Sequence, residues 1–275
     1  MAELPARPRP LSDEQLERYA RHIVLREVGG PGQARLSAAR VLVIGAGGLG
    51  SPLILYLAAA GIGTIGVADF DTVSLSNLQR QIAHRTADIG RAKTESAAAS
   101  ARAINPGIQV VLHNERLIPE NAAGIIERYD VIADGSDNFS TRFLINDACF
   151  FAGKTLVSAA VTEFDGQLAT YKPWAARGKH PCYRCLFPEP PPREAAPNCS
   201  ETGVLGAVAG VMGTLQAVEV LKEILGIGHS MAGRLLIYDA LDCQFRNVNV
   251  PADPACRLCG RSPSIRQLST HASGT

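Results

Sequence analysis

The chain has 275 residues, 46% of them hydrophobic, enough for one large or two small domains with a packed core, which excludes global disorder. Its 27 basic and 26 acidic side chains leave a net charge of +1, so no global field draws it to nucleic acid or an anionic membrane. Seven cysteines are an odd number for a framework of disulfides alone. The opening MAELPARPRPLSDEQ lacks the apolar core of a signal peptide, so a cytoplasmic location is expected.

The spacing of Leu16, Tyr19 and Ile23 predicts a helix from Leu11 to Leu25, with Ser12 and Asp13 offering N-cap chemistry; it carries Arg18, Arg21 and Arg26. RVLVIGAGGLGSPLILYLAAAGIGTIGVADFD then reads as a buried strand over 41–44, a glycine turn, a helix over 48–60 and a second strand over 65–69. Further on come a helix in RAKTESAAASARAINP stopped at Pro106, a strand in IQVVLH and a helix over 119–128. DVIADGSDN reads as a strand ending in a polar turn, 139–152 as a helix and KTLVSAAVT as extended. Strand and helix alternating at this spacing imply an α/β fold, a Rossmann-like and mostly parallel sheet with helices on both faces.

The texture changes after Gly166. GQLATYK and GRLLIYDALDCQFRNVNV are antiparallel strand material, and PEPPPREAAPN between them is an exposed proline-rich loop. GVLGAVAGVMGTLQAVEVLKEIL carries Gln216, Glu219, Lys222 and Glu223, which fits a buried amphipathic helix better than a membrane span. The residues after Gly260 read as a loose tail. The expected organisation is a helical arm over 1–38, a nucleotide-binding core over 39–165, a third segment over 166–260 and a tail over 261–275.

Gly45-Ala-Gly47-Gly48-Leu-Gly50 follows a strand and opens a helix, the context in which G-x-G-x-x-G binds a nucleotide; the bland alternative is a glycine turn kept for packing. Asp69 ends the next strand, where a ribose hydroxyl lies. After it, DFDTVSLSNLQRQ crowds Ser76, Asn77, Gln79, Arg80 and Gln81 together. Arg80 can grip phosphate oxygens with two N–H groups, Lys93 brings a point charge to a helix start, and Asp137 in DGSDN suits Mg²⁺. Singly each is an ordinary surface charge; together they point to a triphosphate.

Cys182-x-x-Cys185 and Cys256-x-x-Cys259 have the spacing of a four-cysteine structural Zn²⁺ site, against a redox pair or four unliganded thiols. Cys199 sits on the proline loop just before a helix whose dipole favours a thiolate, against a loop cysteine without a task. Cys149 and Cys243 lie in apolar patterns and are expected in the core, while His22 and His84 are expected to be solvated or structural.

In this order, RYARHIVL, VLVIGAGGLGSP, DFDTVSLSNLQRQ, GRAKTES, GSDN, CYRC and CRLCG make the chain resemble the ThiF/MoeB/HesA family over roughly residues 12 to 260. The resemblance implies ATP- and Mg²⁺-dependent adenylylation of the C-terminal Gly-Gly carboxylate of a small ubiquitin-like sulfur carrier, of thiamine-thiazole or molybdopterin type. It implies that Asp69 holds the ribose and that Asn77, Arg80 and Lys93 contact the triphosphate. Asp137, beside Asn138, then binds Mg²⁺, and Arg21 reaches into the partner's site of a homodimer. It also implies a carrier-binding role for 166–260 and, in ThiF-type enzymes, covalent sulfur transfer through the cysteine at Cys199. The segment after the zinc motif is too short for a rhodanese domain, so a separate sulfur donor is expected, such as a cysteine desulfurase or a rhodanese. Activation of a tRNA base and nicotinamide-dependent hydride transfer are the alternatives; near-neutral charge weighs against the first, and the second leaves Arg80, Lys93 and Asp137 unexplained.

Overall fold

The computed structural model describes residues 11–176, 178–190 and 203–271. Its strands are β1 (Arg40–Ile44), β2 (Thr64–Ala68), β3 (Gln109–His113), β4 (Val131–Asp134), β5 (Thr155–Thr162), β6 (Asp165–Tyr171), β7 (Arg234–Asp239) and β8 (Gln244–Asn249). They form one eight-stranded sheet in the order β3-β2-β1-β4-β5-β6-β7-β8. Neighbours from β3 across to β5 are parallel, and β5–β6, β6–β7 and β7–β8 pair antiparallel. The sheet therefore crosses Gly166 without interruption.

Because successive side chains leave a strand on opposite faces, each strand feeds two cores. Val41, Val43, Ile65, Val67, Ala133 and Val157 pack on α3 (Gly29–Ala38), α4 (Gly50–Ala60), α5 (Lys93–Ile104) and the long helix over Gly206–Leu225. Leu42, Ile44, Ile132 and Leu156 pack on α6 (Pro119–Ile126) and α7 (Phe139–Ala152). With α8 (Tyr183–Leu186), the long helix is α9. Its polar residues serve the sheet: Gln216 Nε2 donates to Asp134 O at 2.8 Å and Val157 O at 2.9 Å, and Glu219 Oε1 accepts from Thr170 Oγ1 at 2.9 Å. Among the described residues no helix is long and apolar enough to cross a membrane.

The N-terminal helix is broken. Tyr19 separates α1 (Asp13–Arg18), capped by Ser12, from α2 (Ala20–Ile23). A continuous helix would not seat Tyr19 as it is found, buried against Gly61 with its hydroxyl accepting from Asn105 Nδ2 at 2.8 Å. α3 lies within the helical arm expected over 1–38, beyond the helix predicted from Leu11 to Leu25; Pro31 falls in its first turn, where the missing N–H has no helical acceptor to lose.

Two further expectations are corrected. Cys149 is buried as expected, but Cys243 is exposed, in the β7–β8 turn with φ of 53°. Residues 261–271 are not loose: Ile265 is buried beside the cysteine pairs, and His271 Nε2 lies 2.8 Å from Asp147 Oδ2. Asp147 is fully buried on α7 and also accepts from Arg184 Nε and Nη2, both at 2.8 Å. Burial pushes its carboxyl up, but the hydrogen bonds from His271 and Arg184 outweigh this and hold it below the usual range. The last segment and the first cysteine pair are thus fastened to one helix. The proline loop from residue 191 lies outside the described residues, and Pro188 to Pro190 before it are exposed.

Candidate functional site

The strand order reverses between β1 and β4, and at such a reversal the two following loops diverge and leave a crevice at the carboxyl edge. A cavity of about 700 Å³ lies there. Gly45, Gly47, Gly48, Asp69, Arg80, Lys93, Asp137 and Asn138 all line it.

The glycines differ in what they do. Gly45 has φ of 90°, and a Cβ on it would stand 3.0 Å from Gly135 O of the facing loop. Gly50 opens α4 so tightly that a Cβ there would fall 1.8 Å from Gly45 O; it is a packing glycine and does not line the cavity. Gly47 is the opposite case: a Cβ would meet nothing nearer than Gln81 Nε2 at 3.7 Å. The protein does not require glycine at Gly47, whereas the close approach of a ligand would.

Asp69 lies just past β2 and faces the glycine loop. Its Oδ2 accepts from Ala46 N at 2.8 Å and its Oδ1 from Asp71 N at 2.9 Å, which aims the carboxylate into the cavity mouth. Lys93 is the first residue of α5. It is buried, and its Nζ bonds Asp71 Oδ2 at 2.8 Å, so Asp71, unremarked in the sequence, is its partner. Arg80 is half-buried, with Nη1 donating to Ser76 O at 3.1 Å.

Ser76, Asn77 and Gln79 do not line the cavity. Ser76 Oγ lies 3.1 Å from Ser74 Oγ, and Asn77 Oδ1 accepts from Ser74 N at 3.2 Å, closing a single 3-10 turn. Gln79 O approaches α9 so closely that a Cβ on Gly206 would stand 2.3 Å from it. These three residues shape the segment that presents Arg80. Gln81, absent from the expected ligand contacts, does line the cavity; it is buried, and its Oε1 has no hydrogen-bond partner among the described residues.

The opposite wall is the loop after β4. Buried Asp134 stitches it: Oδ1 accepts from Ser136 N at 2.9 Å and Ser136 Oγ at 2.6 Å, and Oδ2 from Ser158 Oγ at 2.9 Å. Arg142 Nη2 donates to Ser136 O from below. Asn138 caps α7, its Oδ1 accepting from Thr141 N at 2.9 Å. Asp137 between them is exposed to the cavity on a loop that cannot shift freely.

Arg21 is exposed on α2 and does not line this cavity. His22 is structural, Nδ1 lying 3.1 Å from Gln33 Oε1, and His84 is buried beneath the glycine loop. Cys199 lies outside the described residues.

The two CxxC pairs meet at the far side of α7. The four Sγ atoms of Cys182, Cys185, Cys256 and Cys259 lie within 4.8 Å of one another, with 3.6 Å between Cys182 and Cys256 and 3.4 Å between Cys185 and Cys259. A tetrahedral Zn²⁺ with Zn–S bonds of about 2.3 Å needs sulfurs roughly 3.8 Å apart. The cluster fits such an ion, and backbone N–H groups of Asp253 and Leu258 already point at Cys185 and Cys256 sulfurs.

The sequence profile of the ThiF family matches residues 19–258. The adenylyltransferase and sulfurtransferase MOCS3 of Bos taurus is 49% identical over 275 residues, covering 98% of this chain and 60% of that protein. The sulfur carrier protein adenylyltransferase of Thermus thermophilus is 48% identical over 256 residues, 93% of this chain and 94% of that one. The chain thus spans about three fifths of the bovine relative and nearly all of the Thermus one. The E. coli MccB crystal structure with ATP superposes with a TM-score of 0.74 at 23% identity, covering 88% of this chain and 74% of that one, so the two share a fold.

Gly47→Ala is expected to melt with the wild type in a thermal scan yet to lose nucleotide affinity. Gly50→Ala is expected to lose thermal stability outright, and equal melting of the two variants would contradict the division of roles.

Proposed function

The chain belongs to the ThiF family, and from that premise we propose that it adenylylates the C-terminal carboxylate of a small ubiquitin-like sulfur-carrier protein, using Mg-ATP and releasing pyrophosphate. The observation that carries this reading is the convergence on one cavity of the glycine loop, Asp69, Arg80, Lys93 and Asp137. The Thermus relative is named a sulfur carrier protein adenylyltransferase, which favours this reading over tRNA-base activation and over hydride transfer.

The chemistry suits these residues. The carrier carboxylate is already ionised at neutral pH and needs no general base. It attacks the α-phosphorus, the bond to the bridging oxygen breaks, and the electron pair leaves with pyrophosphate. Two anions must meet and a third charge must depart. The glycine loop and the α4 N-terminus would receive phosphate oxygens, Asp69 the ribose hydroxyls, and Arg80 and Lys93 the growing charge on the leaving group. Asp69, Asp71 and Asp137 line the same cavity, and carboxylates facing a polyphosphate call for a divalent cation between them. Asp137, steadied by Asn138, would hold Mg²⁺, which would lower the negative charge seen by the nucleophile.

A homodimer in which Arg21 serves the partner's cavity is part of this proposal. It is supported by the position of Arg21 away from its own chain's cavity and by Val24 and Leu25, apolar and exposed just beyond it at 76% and 49%. Sulfur would arrive from a separate donor protein. The four-cysteine cluster would hold a structural Zn²⁺ that joins 182–185 to 256–259.

ATP–pyrophosphate exchange with a carrier ending in Gly-Gly tests the function. Exchange is expected only with the carrier present and is expected to fall about 100-fold in Arg80→Ala; carrier-independent exchange, or NADPH oxidation, would contradict it. Metal analysis is expected to find about one zinc per chain, lost when Cys256 and Cys259 are both replaced by serine. A zinc-free, fully folded wild type would refute the metal assignment.

A further inference from the structure

We propose that His84 is a positioning residue for the nucleotide: it fixes the Ala46–Gly47 peptide so that the Gly47 N–H faces the phosphates. The inference rests on the reading of the cavity as an ATP site. His84 touches no cavity surface itself. It is buried under the glycine loop, where its Nε2 lies 2.9 Å from Ala46 O and its Nδ1 2.9 Å from Ser96 Oγ.

A carbonyl can only accept, so Nε2 must carry a proton and donate it to Ala46 O. Burial holds the imidazolium below its ordinary range, which favours the neutral ring with its one proton at Nε2. In a planar trans peptide the C=O and the following N–H point in opposite directions. Holding the Ala46 carbonyl inward therefore turns the Gly47 N–H away from His84 and toward the cavity that Gly47 lines. Neither the Gly47 nor the Gly48 N–H donates to an acceptor among the described residues.

The ring in turn is held from behind. The single Ser96 hydroxyl proton serves either Nδ1 or Asp88 Oδ2, each 2.9 Å from Ser96 Oγ, and Asp88 is anchored by Arg85 N at 3.1 Å and Arg91 Nη1 at 2.7 Å. The preceding peptide is fixed separately, Ala46 N donating to Asp69 Oδ2 at 2.8 Å. Two consecutive peptides of the turn thus have two different keepers. Asp69 orients the first, on the ribose side, and His84 the second, on the phosphate side.

This division makes the proposal testable with two ligands that differ only in phosphate. Calorimetric titration of the full chain with Mg-ATP and with adenosine compares wild type, His84→Leu, His84→Gln and Ser96→Ala. His84→Leu is expected to weaken ATP about tenfold, the scale of one buried hydrogen bond, and to leave adenosine unchanged. His84→Gln, whose amide N–H can reach Ala46 O, is expected to recover most of the ATP affinity. Ser96→Ala, a milder change that keeps the fold, is expected to shift ATP alone and by less. Equal losses for ATP and adenosine would reduce His84 to a structural residue and overturn the proposal, as would unchanged ATP binding in both His84→Leu and Ser96→Ala. A wild type that binds no ATP would instead contradict the reading of the cavity, and the inference with it.

Discussion

The site depends on one close approach, that of the turn after β1 to the turn after β4. Gly50 stands against the carbonyl of Gly45 at a distance no side chain would permit, and Gly45, with φ of 90°, stands closely against the carbonyl of Gly135. Because these backbones touch, the start of α4 and the start of α7 open onto one cavity from opposite sides. The first brings N–H groups suited to phosphate, the second a carboxylate suited to a divalent cation. Everything else in the cavity is placed relative to that junction.

The electrostatics of the cavity are balanced and incomplete. Lys93 is buried, and a buried ammonium without a partner is costly; Asp71 meets the need from a half-exposed position. Such a pair is easily exchanged, since a phosphate can take the lysine while water takes the carboxylate. Arg80 rests on a backbone carbonyl, a weak tether for a guanidinium. Both cations are therefore held near the cavity without being committed to the protein, as a site for a transient polyanion requires.

Much of this was legible in the sequence, for physical reasons. The apolar runs of β1 and β4 announce strands buried on both faces, and the glycine spacing announces the turn. The clustering of Arg80, Lys93 and Asp137 at strand ends was legible because parallel strands put every following loop on one edge. What escaped depends on orientation or on distant partners. Ser76, Asn77 and Gln79 share a short segment with Arg80, yet a 3-10 turn and the approach of α9 direct them elsewhere and bring Gln81 in. The packing of the last segment rests on a contact between His271 and Asp147, residues 124 apart, which no local pattern encodes.

The central claim is that this crevice holds a triphosphate between the glycine loop and two uncommitted cations. A crystal structure with Mg²⁺ and a non-hydrolysable ATP analogue tests it most directly. The account predicts that Lys93 Nζ leaves Asp71, its partner at 2.8 Å, for a phosphate oxygen, and that the Arg80 guanidinium turns from Ser76 onto the polyphosphate. Nucleotide bound with Lys93 still paired to Asp71 and Arg80 pointing away from every phosphate would contradict it.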